Sequence, residues 1–126
     1  MLVGRSAGLT DTGRRRRQNE DAFVCEPPLF AVADGMGGAQ AGELASRLAA
    51  AAFEESASAI RGEEEVARVV RTANARIFEQ SVRDPAAAGM GTTATVALVD
   101  ESSGTATLAH VGDSRAYLFR AGGVYS

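Results

Sequence analysis

The chain has 126 residues, of which 45% are hydrophobic and 23% are charged, and its net charge at pH 7 is −3. This length suits one small domain, and the negative charge argues against a general nucleic-acid binder, because affinity for a phosphate backbone requires clustered positive charge. The single cysteine, Cys25, excludes an internal disulfide, and its apolar surroundings predict a buried side chain rather than a nucleophile.

The sequence carries no recognisable targeting signal. Its N-terminus lacks the apolar run of a secretion signal, and no apolar stretch approaches the roughly 20 residues that cross a bilayer. We therefore expect a cytoplasmic protein whose membrane contact, if it has any, lies outside this segment. Because there are no repeats, linkers or internal boundaries, residues 1–126 are expected to belong to a single domain.

The first third of the chain predicts β-structure. Residues 2–9 predict a short strand, and residues 10–13 predict a turn. A strand is predicted at 22–25, and after a turn at 26–28 a buried strand is predicted at 29–33. This second strand runs directly into the segment Asp-Gly-Met-Gly-Gly at residues 34–38.

Two amphipathic helices are predicted in the middle of the chain. Apolar residues at helical spacing form the inner face of the first helix: Ala41, Leu44, Ala45, Leu48, Ala52 and Phe53. The second begins with three glutamates at 63–65, which offset the positive end of the helix dipole, and Pro85 ends it. Its predicted inner face consists of Val66, Val69, Val70, Ala73 and Ile77.

The last third predicts strands again, at 92–99, 105–111 and 115–120, with a further turn at 122–123. The sequence stops where a fourth strand would begin, so we expect the native chain to continue past Ser126, because a natural domain normally covers such a strand edge. Strands and helices are grouped rather than alternating, which indicates an α+β domain.

Acidic residues next to the two early strands are the strongest site candidates. Asp34 follows an apolar strand, and Glu20 and Asp21 precede the strand before it. If these strands pair as a hairpin, the acids meet at one end. Oxygen ligands without His or Cys favour Mg²⁺ or Mn²⁺ over zinc. On spacing alone, an ordinary Asp-Gly turn explains Asp34 equally well.

Other polar clusters have both functional and structural interpretations. Arg16, close to Asp21, could grip a phosphoryl group, whereas its arginine neighbours are explained as a solvated face. The segment Gly-Asp-Ser at 112–114 is explained by a turn, and His110 by packing or a hydrogen bond. Residues 91–93 indicate strand entry rather than a phosphate loop, because no helix follows them.

Four segments in this order resemble the protein phosphatase 2C family of metal-dependent phosphatases. They are RRQNED at 16–21, VADGMGG at 32–38, GMGTTAT at 89–95 and HVGDSRA at 110–116. The resemblance covers nearly the whole chain. It implies two antiparallel sheets packed face to face and flanked by helices, of which this chain is the truncated N-terminal part. It also implies hydrolysis of phosphoserine or phosphothreonine in proteins by a water that two Mn²⁺ or Mg²⁺ ions activate.

The resemblance also implies roles for particular residues. Asp34 would bridge both ions, and the Gly35 carbonyl would bind one of them. Asp21 and Glu20 would hold metal-bound waters. Arg16 would grip the substrate phosphate, with phosphorylated proteins, including serine/threonine kinases, as partners. Asp113 matches an aspartate that helps to bind a third metal in many bacterial members.

Two departures from the family pattern limit what the resemblance implies. Met36 stands where many eukaryotic members have a histidine that is thought to protonate the leaving group, so that role is unassigned and the protein looks bacterial. The family's later Asp-Gly and Asp-Asn motifs have no counterpart after Asp113. We therefore expect 1–126 alone to be weakly active or inactive.

Two other functions remain open. One is a non-catalytic, truncated relative that binds a partner protein. The other is a nucleic-acid module built on the arginines at 14–17, which the 6% aromatic content and the negative net charge disfavour.

Overall fold

The structure, a computed structural model, describes residues 3–126. A hairpin of β1 (Asp21–Glu26) and β2 (Leu29–Met36) is followed by helices α1 (Ala39–Ser56) and α2 (Glu63–Arg83). A short 3₁₀ helix, Pro85–Ala87, leads into the second half of the chain. That half contains β3 (Gly91–Thr92), β4 (Ala94–Asp100), β5 (Thr105–Val111), β6 (Leu118–Arg120) and β7 (Gly123–Tyr125).

The main sheet is antiparallel, in the order β1-β2-β4-β5, and β3 pairs with the end of β2. The long central strand β2 alternates strictly between buried and partly or fully exposed residues. Such alternation is typical of a strand with only one face against the core. The side chains at the other face of β2, including Asp34, are therefore accessible.

Both helices cover the buried face of the sheet, and they pack against each other. The predicted apolar stripes lie there: Ala45, Ala52 and Phe53 of α1 are at most 1% exposed, and Val66, Val69, Ala73 and Ile77 of α2 are buried. Val70, Leu44 and Leu48 are partly buried against this core. The α+β class with antiparallel sheets and helices is confirmed.

Three details differ from the sequence-based expectations. Residues 3–9 form no strand, and residue 2 lies outside the described part. Strand β6 begins at Leu118 rather than Arg115. It pairs with β7 in a separate two-stranded sheet, so the fourth strand is already present at residues 123–125. The segment before β6 is held away from this small sheet, because Ser114 is hydrogen-bonded to Thr93, which lies between β3 and β4.

The sheet face opposite the helices is only partly covered within residues 3–126, by Ser6 and Gly8, which lie against Cys25 and Phe23 at its β1 edge. Val32 in the centre of this face is 46% exposed, and Leu108 is 58% exposed. Cys25 lies on the same face and is half-buried, so its side chain is less buried than the sequence predicted. Across the described residues, neither helix combines the length and apolarity that crossing a membrane requires.

Candidate metal and phosphate site

The pairing of β1 with β2 brings the two predicted aspartates together. Asp21 and Asp34 are directly opposite each other in the antiparallel register. Directly opposed residues project on the same face, with Cβ atoms about 5 Å apart. The predicted hairpin is therefore confirmed, and it places two carboxylates side by side where one strand begins and the other nears its end.

The backbone of Asp34 is held by Thr93, which the sequence analysis assigned to strand entry and gave no role in the site. The Asp34 amide donates to Thr93 Oγ1 at 3.1 Å, and the Thr93 amide donates to the Asp34 carbonyl at 2.9 Å. Thr93 is 3% exposed, and its hydroxyl also bonds to Ser114 Oγ. These bonds link the turn at 112–114 to the strand that carries Asp34.

Gly112 makes this link possible. Its φ is +95°, and a Cβ there would lie 2.7 Å from Thr93 Cγ2. A residue with a side chain would therefore be strained in its backbone and would push the turn away from Thr93. The predicted turn at 112–114 is present, and it packs against the support of Asp34.

A second close contact fixes Gly35 against α1. A Cβ at Gly35 would lie 1.8 Å from the Gly42 carbonyl oxygen and 2.9 Å from that of Glu20. The Gly35 amide donates to the same Glu20 carbonyl at 2.9 Å. Gly42 was missed in the sequence, although a glycine inside a helical pattern is itself a signal of close packing. Strand β2 and helix α1 thus meet backbone to backbone beside Asp34.

The arginine-bearing loop is closed by Asn19. Its Nδ2 donates to Thr10 Oγ1 at 2.8 Å, and its Oδ1 accepts from the Asp21 amide at 3.0 Å. This side chain therefore ties the start of the loop to the start of β1. The loop borders a pocket of about 280 Å³, which is lined by Asp11, Thr12, Arg16, Gln18, Asn19, Glu20, Asp21 and Asp34.

The electrostatics of this pocket follow from its charges. Partial burial raises the pKa of Asp21 above its ordinary value, and the hydrogen bond and negative charge of Asp34 raise it further. The guanidinium of Arg16 opposes this rise, and the charge of Glu20 adds slightly to it. The two carboxylates thus lie close enough for the charge of Asp34 to disfavour the ionisation of Asp21.

This arrangement predicts a pH-dependent stability in metal-free solution. Because the folded chain raises the pKa of Asp21, it holds the proton more tightly than the unfolded chain, so stability is lost as the pH rises above the ordinary value of 3.8. Asp21→Asn removes this loss. In EDTA at about pH 7, we expect the variant to melt about 1–2 °C higher, a small gain because solvent screens a partly exposed charge.

Thermal melts followed by circular dichroism between about pH 3 and 7 test this expectation. The difference between variant and wild type should vanish near the acid end of that range, where the carboxyl is protonated in both states. A lower melting temperature for Asp21→Asn at neutral pH would contradict it.

Two other residues from the sequence analysis, Asp113 and His110, do not line this pocket. Asp113 is exposed and lines neither this pocket nor a neighbouring one of about 300 Å³, although Ser114 and Arg115 line the latter together with Asp21 and Asp34. His110 Nδ1 is 2.9 Å from Thr95 Oγ1, which agrees with the hydrogen-bonded interpretation.

The interpretation of residues 91–93 as strand entry agrees with the structure, because Gly91–Thr92 form a strand rather than a phosphate loop. Met90, which precedes this strand, is buried in the core. Met36, in contrast, is 52% exposed.

The paired aspartates suit a hard cation. Their donors are carboxylate oxygens, and a divalent ion between them would relieve the repulsion that helps to raise the pKa of Asp21. Within residues 3–126, however, no group of three or more His, Cys, Asp or Glu side chains is arranged to hold a metal ion. The described residues therefore fit Mn²⁺ or Mg²⁺ as part of a coordination shell and do not complete one.

An α+β fold that presents paired aspartates and an arginine at a sheet end defines a class of acidic site whose oxygen atoms suit a hard cation. The chain belongs to the protein phosphatase 2C family, whose model matches residues 7–126. It is 41% identical over 124 residues to the serine/threonine protein phosphatase PstP of Mycobacterium tuberculosis, covering 96% of this chain and 24% of that protein.

Two further comparisons agree. A serine/threonine phosphatase of Listeria monocytogenes is 37% identical over 123 residues, covering 88% of this chain and 48% of the relative. The catalytic domain of PstP, solved in complex with two manganese ions, superposes with a TM-score of 0.82 at 40% identity, covering 90% of this chain and 50% of that domain. The chain thus spans between about a quarter and a half of the length of these proteins.

Proposed function

We propose that this chain supplies part of the active site of a protein serine/threonine phosphatase that hydrolyses phosphoserine and phosphothreonine in proteins. The observation that carries the proposal is the direct opposition of Asp21 and Asp34, with Arg16 lining the same pocket. The carboxylates can bind a hard cation, and the guanidinium beside them can bind an oxyanion. Both kinds of group suit phosphoryl transfer. Membership of the phosphatase 2C family supports the same conclusion.

Each residue would have a distinct role in metal binding. Asp34 would bridge two Mn²⁺ or Mg²⁺ ions and the Gly35 carbonyl would bind one, while Asp21 and Glu20 would hold water at the ions. Asp113 would contribute to a third ion. When bound, the ions activate a water for attack on phosphorus and neutralise charge on the phosphoryl oxygens.

Arg16 would orient the phosphoryl group, because its planar fork can make two parallel hydrogen bonds to phosphate oxygens. It is exposed at the rim of the pocket, where a substrate on a protein surface can reach it. Met36 carries no transferable proton, so another group must protonate the leaving hydroxyl.

Substrates and setting are part of the same proposal. The substrates would be phosphorylated proteins, serine/threonine kinases among them, and the half-buried free thiol of Cys25 is compatible with a reducing cytoplasm. Residues 1–126 would be the N-terminal part of a single catalytic domain.

A second candidate is a non-catalytic domain that binds a partner protein. It is favoured by the lack of three or more clustered metal-binding side chains in the described part of the chain. For the same reason we propose that 1–126 by itself is weakly active or inactive.

A chimera distinguishes the two candidates. Residues 1–126 replace the matching segment of the Listeria relative, which supplies the remaining half of its own length. We expect Mn²⁺-dependent release of phosphate from a phosphothreonine peptide by the chimera, loss of that release with Asp34→Ala, and little or no release by 1–126 alone. Phosphate release is measured colorimetrically, with the unaltered relative as the control.

A chimera that folds, as judged by circular dichroism and a single elution peak, yet shows no Mn²⁺-dependent hydrolysis would make the phosphatase proposal wrong. Efficient Mn²⁺-dependent hydrolysis by 1–126 alone, abolished by Asp34→Ala, would instead contradict only the proposal of weak activity.

A further inference from the structure

A second pocket adjoins the aspartate pocket on the side of the arginine loop. It has a volume of about 450 Å³ and is lined by Arg16, Arg17, Gln18 and Glu20. All of these residues except Arg17 also line the 280 Å³ pocket that contains Asp21 and Asp34. The two pockets are therefore contiguous, and Arg17 distinguishes the second from the first.

The charge changes sign between the two pockets. The aspartate pocket contains four carboxylates and one guanidinium, whereas the second pocket contains two guanidinium groups and one carboxylate. In the part of the chain that the structure describes, ion pairs involve Arg47, Arg76 and Arg83, and none involves the arginines at 14–17. Arg17 is exposed, so its charge is available to a ligand.

Gln18 provides a further observation at the boundary of the pockets. Its Oε1 is buried and accepts no hydrogen bond from residues 3–126. Buried polar atoms without a partner are rare in folded proteins. Hydrogen bonding within residues 3–126 therefore does not fix the Oε1 end of this amide at the boundary of the two pockets.

We propose that Arg17 forms a second anionic subsite, which recognises a carboxylate or a second phosphate one or two residues from the phosphorylated residue of a peptide. The proposal rests on the proposed function, in which Arg16 takes the first phosphate. Extended peptide residues advance by about 3.3 Å, so an anion one or two residues from the phosphorylated residue lies within reach of an arginine next to Arg16. The planar guanidinium group of Arg17 can donate two parallel hydrogen bonds to either a carboxylate or a phosphate.

Peptide binding to the 126-residue chain in excess MnCl₂, measured by fluorescence anisotropy, tests the subsite. Three labelled peptides carry the non-hydrolysable phosphonate analogue of phosphoserine, with neutral neighbours, with glutamates at the flanking positions, or with a second phosphonate. We expect one or both anionic peptides to bind about three- to tenfold more tightly than the neutral one. A larger gain with glutamate or with phosphonate identifies the preferred anion.

Two variants test whether Arg17 causes the preference for the anionic peptides. Arg17→Ala should abolish it and change the affinity for the neutral peptide by less than about twofold, since only the second anion is lost. Arg14→Ala removes the same charge from the same loop but lines neither pocket, and it should retain the preference.

The outcomes separate this proposal from the proposed function. If the neutral phosphonate peptide binds through Arg16 but flanking anions add nothing, the subsite is wrong and the phosphatase proposal stands. If no phosphonate peptide binds better than its unmodified counterpart, the subsite is overturned, whereas the phosphatase proposal is decided separately by the chimera. An equal loss in Arg14→Ala, or equal competition by a single-stranded oligonucleotide, would show unspecific attraction and overturn the subsite.

Discussion

Gly35→Ala is expected to cost about 3 kcal/mol or more of folding free energy, enough to leave much of the protein unfolded. The added Cβ would lie 1.8 Å from the carbonyl oxygen of Gly42 and 2.5 Å from its carbonyl carbon. Both are backbone atoms, so no side chain can rotate away. Strand β2 and helix α1 would have to separate, exposing core between them. Urea unfolding followed by circular dichroism measures the loss.

Gly42→Ala and Gly4→Ala serve as matched controls. At Gly42 the new Cβ would meet the Oε2 atom of Glu20 at 1.7 Å, and the end of a side chain can move, so we expect a smaller loss of about 1–2 kcal/mol. At Gly4 nothing lies within 4 Å, and the change should stay within about 0.5 kcal/mol. Equal stabilities for all three variants would show that strand and helix are not in this contact.

Asp34→Asn is expected to weaken Mn²⁺ binding at least about 100-fold. Substitution of groups that only orient metal ligands weakens metal binding about 10- to 100-fold. Substitution of a residue that is proposed to bridge two ions should weaken it at least as much. The asparagine keeps the shape of the side chain and the backbone bonds to Thr93, so the loss would report the missing charge. Electron paramagnetic resonance of free Mn²⁺ measures the affinity.

Two further variants make the Mn²⁺ measurement specific. Asp21→Asn should weaken Mn²⁺ binding about 10- to 100-fold, because Asp21 is proposed to act on the ion through water. Glu26→Gln removes one charge at the opposite end of β1 and should leave the affinity nearly unchanged. If Glu26→Gln weakened binding as much as Asp34→Asn, the ion would be responding to overall charge rather than to this site.

The parts of the fold that could be predicted depend on local patterns. Helical spacing identified the buried faces of α1 and α2, because the residues of each stripe follow one another along the chain. The meeting of Asp21 with Asp34 was predictable since a short turn fixes the pairing of β1 and β2. In these cases the contacts of each residue follow from the sequence close to it in the chain.

The support of the site could not be predicted in the same way. Thr93 bonds to Asp34, 59 residues away, and to Ser114, 21 residues away. No local pattern reports such contacts, because they exist only after the strands have assembled. The late start of β6 has the same origin, since Ser114 is held by Thr93 and the chain enters a strand only at Leu118.

The two halves of the site differ in stiffness. Asp34 is carried by a strand locked to α1 through Gly35 and Gly42 and to the next strand through Thr93. Arg16 is carried by a loop that Asn19 closes with two hydrogen bonds. A stiff pair of carboxylates discriminates between cations by radius, whereas a guanidinium on an adaptable loop accepts oxyanions of several shapes. Under the proposed function, the pocket would therefore discriminate more strongly between metal ions than between the shapes of the oxyanions that Arg16 binds.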